Sequence, residues 1–277
     1  MKRFLDVFQD PEVDEVLING SAAAWSVSAT GAKALAPPFS SPDALSDWLF
    51  AFAEEQGVRL DPVVGSAGGS WQDDTFRWHA VLPPLSRDGP LVSLRRHRFD
   101  AIALEHFDGR EGTLLGLREV VRRRTALLIA GPTGSGKTTL LAALLREFAP
   151  TERIVSIEAL PELPKLSPYA VRLVGRPANL QGHGAICLER LVAEALRLRP
   201  DRLVIGEIRA GEASAFVDAT RAGHGGVMAT IHAASTLDAI KRLKTLSGGL
   251  DCDGLGICVA VLSRGAPPRV ETVVTQT

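Results

Sequence analysis

The sequence predicts an α/β fold, with a smaller α+β unit followed by a mostly parallel, doubly wound sheet. Three observations predict it. A complete phosphate-loop motif, Gly131-Pro132-Thr133-Gly134-Ser135-Gly136-Lys137-Thr138-Thr139, follows an apolar run at 126–130 and precedes helix formers from Leu140 to Phe148. Apolar runs of strand length alternate with amphipathic stretches of helix length through the second half of the chain. The first 95 residues carry short strand runs around one amphipathic helix and no nucleotide motif.

Within residues 1–95, Val13 to Ile18 is a strand run ending in Asn19-Gly20, a dipeptide that favours a hairpin turn, and Trp25-Ser26-Val27 is the expected returning strand. Pro42 to Gln56 is expected to be helical: Ser41 can cap it, Pro42 suits the first position, and Leu45, Trp48, Leu49 and Phe52 share a face. Gly65 to Ser70 is small and is expected to be flexible. Phe76 to Leu82 alternates as a strand that Pro83-Pro84 stops, and Leu91 to Leu94 is another strand. Residues 96–104 are the expected linker to a second domain, 105–277. In that domain, strands are expected at 126–130, 154–157, 171–174, 203–206 and 227–231, with a final pair at 257–263 and 269–274. Helices are expected at 112–123, 138–148, 186–197, 211–221 and 236–246.

The phosphate loop carries its chemistry in its residue types. Glycines 131, 134 and 136 let the backbone form a concave nest of N–H groups, and the helix behind it adds partial positive charge. Lys137 can reach the β- and γ-phosphates of a nucleoside triphosphate, and the Thr138 hydroxyl can ligate Mg²⁺. Two carboxylates end apolar strands: Glu158 after Ile154-Val155-Ser156-Ile157, and Glu207 after Leu203-Val204-Ile205-Gly206. The carboxyl ends of parallel strands line the ligand crevice, so both are expected to face the triphosphate. Glu207 is the candidate to orient and deprotonate the attacking water. Glu158 is the candidate for the metal shell or a second contact to that water. His232 ends the run Val227 to Ile231 and is the candidate to contact the γ-phosphate or sense its loss. Leu246-Ser247-Gly248-Gly249 resembles a transporter-ATPase signature, but it follows the acidic strand and is read as a helix end with glycine caps.

Composition limits the alternatives. Of 277 residues, 45% are hydrophobic, enough for a packed core, and the formal net charge is −1, which gives no general affinity for polyanions. Cys187, Cys252 and Cys258 match no metal spacing and no disulfide framework, so they are expected to be small hydrophobes in a reducing compartment. No apolar run reaches membrane-spanning length, and Asp6 and Asp10 interrupt any leader-like region. A cytoplasmic location is expected.

The order of the pieces resembles the traffic ATPases of type II and type IV secretion and type IV pilus systems. Four blocks carry the resemblance: the phosphate loop; Ile157-Glu158-Ala159-Leu160-Pro161-Glu162-Leu163, similar to the family's aspartate box; Leu196 to Ala213, with Glu207, Arg209 and Glu212, similar to its acidic strand; and Gly223 to Ala233, similar to its histidine box. Asp10 to Gly20, Val81 to Pro84 and Leu91 to Arg96 are similar to the branch serving tight-adherence pili and type IV secretion. The resemblance implies a RecA-like ATPase domain behind a PAS-like one, and a homohexameric ring holding ATP and Mg²⁺ between the two domains. It implies a place in the cytoplasm at the inner membrane, against a platform protein. It also implies that Arg77, Arg95 and Arg209 belong with the nucleotide-binding residues. The chain departs from the family pattern at Ala159, where an Asp is usual, in the stretch Gly65 to Asp74, and in a shorter segment after Leu246.

A Mg-ATP-hydrolysing motor for pilus assembly or secretion is therefore the first expectation. A nucleotide-gated scaffold with little turnover, suggested by Ala159, is the second. A nucleic-acid translocase is the third, and the near-neutral charge and lack of an aromatic-basic stripe argue against it.

Overall fold

The computed structural model describes residues 4–97, 102–109, 112–148, 150–176, 178–265 and 268–275. Residues 98–101 of the expected linker lie outside them. The chain divides into two compact units, Met1–Arg98 with Arg176–Ala185, and Phe99–Gly175 with Ile186–Thr277.

The first unit holds β1 (Val13–Asn19), β2 (Ala23–Ser28), β3 (Gly31–Leu35), α1 (Pro42–Glu55), β4 (Ser66–Trp71), β5 (Phe76–Val81) and β6 (Leu91–Arg96). Its six strands form one sheet in the order β3-β2-β1-β6-β5-β4, every neighbouring pair antiparallel. The expected hairpin forms with Asn19 opposite Ala23, so its loop is Gly20 to Ala22. Gly20 takes φ +61, and a Cβ there would lie 2.9 Å from the Asp88 carbonyl oxygen. The α1 cap is the expected one, with the Ser41 hydroxyl accepting from the Ala44 N–H at 3.1 Å. Leu45, Leu49, Phe52 and Ala53 bury the inner face of α1 against Val16, Ile18, Trp78 and Leu94 of the sheet.

Two elements of this unit differ from the sequence expectation. Gly65 to Ser70 is mostly strand β4, paired along its whole length with β5; small residues hide a strand that sits at the sheet edge. The hairpin closes through Gln72, Asp73 and Asp74, all at positive φ, a conformation Asp tolerates through local hydrogen bonding. Strand β3 is exposed at the other edge and shows no buried alternation that the sequence could reveal.

The second unit holds β7 (Asp108–Gly109), α2 (Thr113–Arg122), β8 (Leu127–Ala130), α3 (Lys137–Phe148), β9 (Ile154–Glu158), β10 (Val171–Val174), α4 (Leu188–Arg197), β11 (Arg202–Ile208), α5 (Glu212–Arg221), β12 (Met228–Ile231), α6 (Thr236–Leu246), β13 (Cys258–Ser263) and β14 (Arg269–Thr275). The sheet order is β10-β9-β11-β12-β8-β13-β14-β7. The six strands from β10 to β13 are parallel, and β14 turns back antiparallel on β13. Strand residues alternate between two cores. Leu127 and Ile129 pack with α2 and α3, whereas Leu128 and Ala130 pack with α4, α5 and α6. This is the doubly wound α/β architecture the sequence predicts. The glycine-capped end of α6 is also as expected, with Gly248 and Gly249 at positive φ and the Gly249 N–H on the Lys244 carbonyl at 2.8 Å.

At the start of β11, Arg202 is 1% exposed, ion-paired with Glu152, and donates to the Val121 carbonyl at 2.8 Å. A buried charge needs such partners. The three cysteines are free. Cys252 and Cys258 are buried as expected, and Cys187 is exposed.

Candidate functional site

The strand order puts β12, β11 and β9 on one flank of β8 and β13 and β14 on the other. The phosphate loop leaves the carboxyl end of β8 in the middle. Its glycines have specific reasons. A Cβ at Gly131 would lie 2.6 Å from the Ser135 hydroxyl oxygen and 2.7 Å from the Leu262 carbonyl oxygen. Gly136 takes φ +86 and lies against Pro268. The Ser135 hydroxyl, itself buried, donates to the Pro132 carbonyl at 2.9 Å and staples the loop.

Lys137, at the start of α3, is 8% exposed. Its ammonium donates to the carbonyls of Gly131 at 3.0 Å and Pro132 at 2.9 Å and lies 3.3 Å from His232 Nδ1. Burial pulls the ammonium below its ordinary pKa of 10.5, and the carboxylates of Glu207 and Glu162 oppose that pull. The Thr138 hydroxyl donates to Glu162 Oε2 at 2.9 Å.

Glu158, expected in the metal shell or at the attacking water, is engaged by its own strand and loop. It is 2% exposed at the end of the buried strand β9. Its Oε2 accepts from the backbone N–H groups of Glu162 and Leu163, both at 2.7 Å, and its Oε1 accepts from the Ser156 hydroxyl at 3.1 Å. Burial raises its pKa against the lowering effect of these bonds. Glu158 thus pins the loop after β9, and that loop presents Glu162 to Thr138. The carboxylate missed in the sequence is Glu162. Its signal was its place in the quoted box, three residues past the Ala159 position.

Glu207 is aimed by a bulge. The pairing of β11 with β12 advances three residues from Ile205 to Ile208 against two from Ala229 to Ile231. The Thr230 hydroxyl donates to the Gly206 carbonyl at 2.6 Å and holds the bulge. Gly206 keeps this approach close, since a Cβ there would crowd Glu158, 3.1 Å from its Cγ. Arg209 donates to Glu207 Oε2 through Nε at 2.7 Å and Nη2 at 2.5 Å. His232 Nε2 stands 2.7 Å from Oε1 but off the line of a hydrogen bond, so Oε1 is a buried acceptor without an aligned donor. His232 therefore stands between Lys137 and Glu207, and Arg209, expected on the nucleotide, is the counter-ion of Glu207.

The second unit thus gathers the loop Gly131 to Thr139, the pair Thr138 and Glu162, and the group Lys137, His232, Glu207 and Arg209. Arg77 and Arg95 lie in the first unit as directly paired residues of β5 and β6.

The residues fit a magnesium nucleotide on three counts. A cradle at Gly131 and Gly136 excludes any side chain. Two hard oxygen donors, Thr138 Oγ1 and Glu162 Oε2, stand together. The buried Glu207 Oε1 accepts no aligned hydrogen bond from the described residues, which leaves an acceptor for a donor that a ligand would bring.

The family model described as type II/IV secretion system protein matches residues 75–261. A candidate conjugal transfer protein of Mycobacterium tuberculosis strain H37Rv is 38% identical over 224 residues, 72% of this chain and 64% of that protein. Protein VirB11 of Agrobacterium tumefaciens is 38% identical over 152 residues, 55% of this chain and 44% of its own. The chain therefore spans less than two thirds of the length of the curated relatives it matches. Among solved structures, the Legionella pneumophila ATPase DotB aligns with a TM-score of 0.67 at 19% identity, over 95% of this chain and 75% of DotB. The pilus retraction motor PilT with bound ADP aligns with a TM-score of 0.69 at 17% identity, over 100% and 82%. These likenesses give the fold, a RecA-like α/β domain. No helix among the described residues is long and apolar enough to cross a membrane.

Proposed function

The chain belongs to the type II/IV secretion system protein family, and from that premise we propose that it hydrolyses Mg-ATP as the motor of pilus assembly or of secretion across a bacterial envelope. The observation that carries this reading is the gathering of Lys137, Thr138 with Glu162, and Glu207 with His232 at the carboxyl ends of one parallel sheet.

Thr138 and Glu162 would hold the magnesium ion, which would neutralise phosphate charge when bound. Glu158 holds the loop that carries Glu162 and touches no reacting atom. Lys137 exchanges its loop carbonyls for phosphate oxygens. Glu207 Oε1 accepts a proton from water while the water oxygen forms a bond to the γ-phosphorus and the β–γ bridging oxygen leaves on ADP. Arg209 fixes the other oxygen of Glu207 and so fixes its rotamer. His232, touching both Lys137 and Glu207, links occupancy of the loop to the position of the acid. The same reading has six copies in a ring, Arg77 and Arg95 serving as an anion-binding pair, and a cytoplasmic location against an inner-membrane platform protein. Loss of the γ-phosphate removes a ligand that distinguishes two arrangements of the ring, and the free-energy difference drives motion.

A second reading is a nucleotide-gated scaffold with slow turnover. Ala159 in the aspartate box and the engagement of Glu207 by Arg209 favour it. Steady-state phosphate release separates the two. The motor reading expects turnover well above a Lys137→Ala control, and turnover equal to that control supports the scaffold. A translocase would be marked by stimulation with single-stranded DNA that falls steeply with salt.

A further inference from the structure

Arg264 follows β13 on the flank of β8 opposite to the acidic strands. Its Nε donates to the Thr133 carbonyl, at the crown of the phosphate loop, at 3.0 Å. Described residues on either side of it also lie against the loop. The Leu262 carbonyl closes on Gly131, and Pro268 Cγ would lie 3.3 Å from a Cβ at Gly136. Arg264 itself is exposed, and its two Nη groups have no partner among the described residues.

The charge arrangement is asymmetric. Glu162 and Glu207 approach the loop from the β9 and β11 flank, while the β13 flank contributes a guanidinium. Lys137 sits on the carbonyls of Gly131 and Pro132, and Arg264 sits on the next one, Thr133. Three successive carbonyls of the loop thus carry two cations. Lys137 is the loop residue that reaches the terminal phosphates, and Arg264 holds the carbonyl next to the two that Lys137 holds. A guanidinium has five donors, so Nε can keep Thr133 while the Nη groups take phosphate oxygens.

We propose that Arg264 is a second cationic arm of the phosphate loop, which binds the terminal phosphate of the nucleotide from the flank opposite the metal. This rests on the nucleotide reading above and adds a residue to it. Arg264 also holds the loop crown through Thr133, and the contribution of its charge is separable from that of its hydrogen bond.

The test is binding by the full chain, with magnesium, of a fluorescent nonhydrolysable ATP analogue and of fluorescent ADP. R264A and R264Q are expected to weaken the ATP analogue about tenfold or more, and ADP no more than about threefold, as loss of one charge-assisted contact to the terminal phosphate requires. R264K is expected to fall between, because an ammonium keeps the charge without the fork. Wild-type affinity in R264Q, equal losses of both nucleotides, or no loss in R264A would each overturn the proposal and leave Arg264 as a loop staple. If R264A does not fold, R264Q and R264K decide the matter alone. K137A separates the two levels of the argument. Its loss of binding together with an unaffected R264Q removes only the Arg264 proposal, whereas undiminished binding in K137A removes the nucleotide site itself.

Discussion

Replacing Glu158 distinguishes a carboxylate that builds the site from one that reacts in it. Glu158→Ala removes the acceptor for two backbone N–H groups at 2.7 Å and for the Ser156 hydroxyl at 3.1 Å, in a site where the residue is 2% exposed. Hydrogen bonds to a charged group contribute about 1.5–3 kcal/mol each. Removing a buried charge gives back part of that sum, since burial already raises the Glu158 pKa. A net loss of about 2–4 kcal/mol is expected, which lowers Tm by on the order of 10 °C for a unit of this size. Glu158→Gln keeps an acceptor oxygen for both N–H groups and sheds the desolvation cost, so its Tm is expected within about 3 °C of wild type. The glutamine variant is also expected to keep phosphate release within about threefold, because an acid that only pins a loop does not need its charge. Differential scanning fluorimetry and a phosphate-release assay on the two variants test this. A glutamine variant that melts normally but loses about a hundredfold in turnover would return Glu158 to the chemistry and refute the reasoning.

Three further outcomes follow from the same geometry. Glu162→Gln is expected to raise the magnesium concentration needed for half-maximal nucleotide binding about tenfold, with Tm unchanged, and an unaltered magnesium dependence would remove Glu162 from the metal. Thr230→Val deletes the hydroxyl that holds the Gly206 carbonyl at 2.6 Å; turnover is expected to fall about tenfold while analogue affinity stays level, since only the aim of Glu207 changes. Lys137 is held below its ordinary pKa by burial. Between that lowered pKa and 10.5 the folded protein binds fewer protons than the unfolded chain, so without nucleotide stability rises with pH across that window. Affinity for the ATP analogue is expected to fall across the same window as the ammonium is lost; affinity that stays flat up to pH 10 would contradict the role of Lys137.

Much of the second unit was legible because its strands are apolar on both faces and its helices carry a 3.6-residue stripe. The run Leu127 to Ala130 and the stripe of α6 could hardly be read otherwise. The edges of the first unit were not legible. Strand β4, Ser66 to Trp71, has two central glycines, and β3 is exposed from Gly31 to Ala34, so neither presents a period-two apolar signal. In the site, the ends of β9 and β11 were legible as acidic positions, but the direction of each carboxylate was not. Glu158 turns inward because Ser156, two residues back on the same face, and the returning loop at Leu163 offer it partners. That return depends on the path through Leu160 and Pro161, which the spacing of the box does not encode. The pair of Glu207 and Arg209 was not readable from strand alternation, because β11 ends at Ile208 and Arg209 lies just past it. Nor was the bulge that re-aims Glu207, because it arises from pairing with β12.

The central claim is that the acid at the end of β11 acts on water at the terminal phosphate of a nucleotide held by the loop. Glu207→Gln tests it most directly, with nucleotide binding and phosphate release measured on the same preparation. This variant is expected to bind the Mg-ATP analogue within about threefold of wild type and to hydrolyse ATP about a hundredfold or more slowly. Turnover near the wild-type rate in this variant would contradict it.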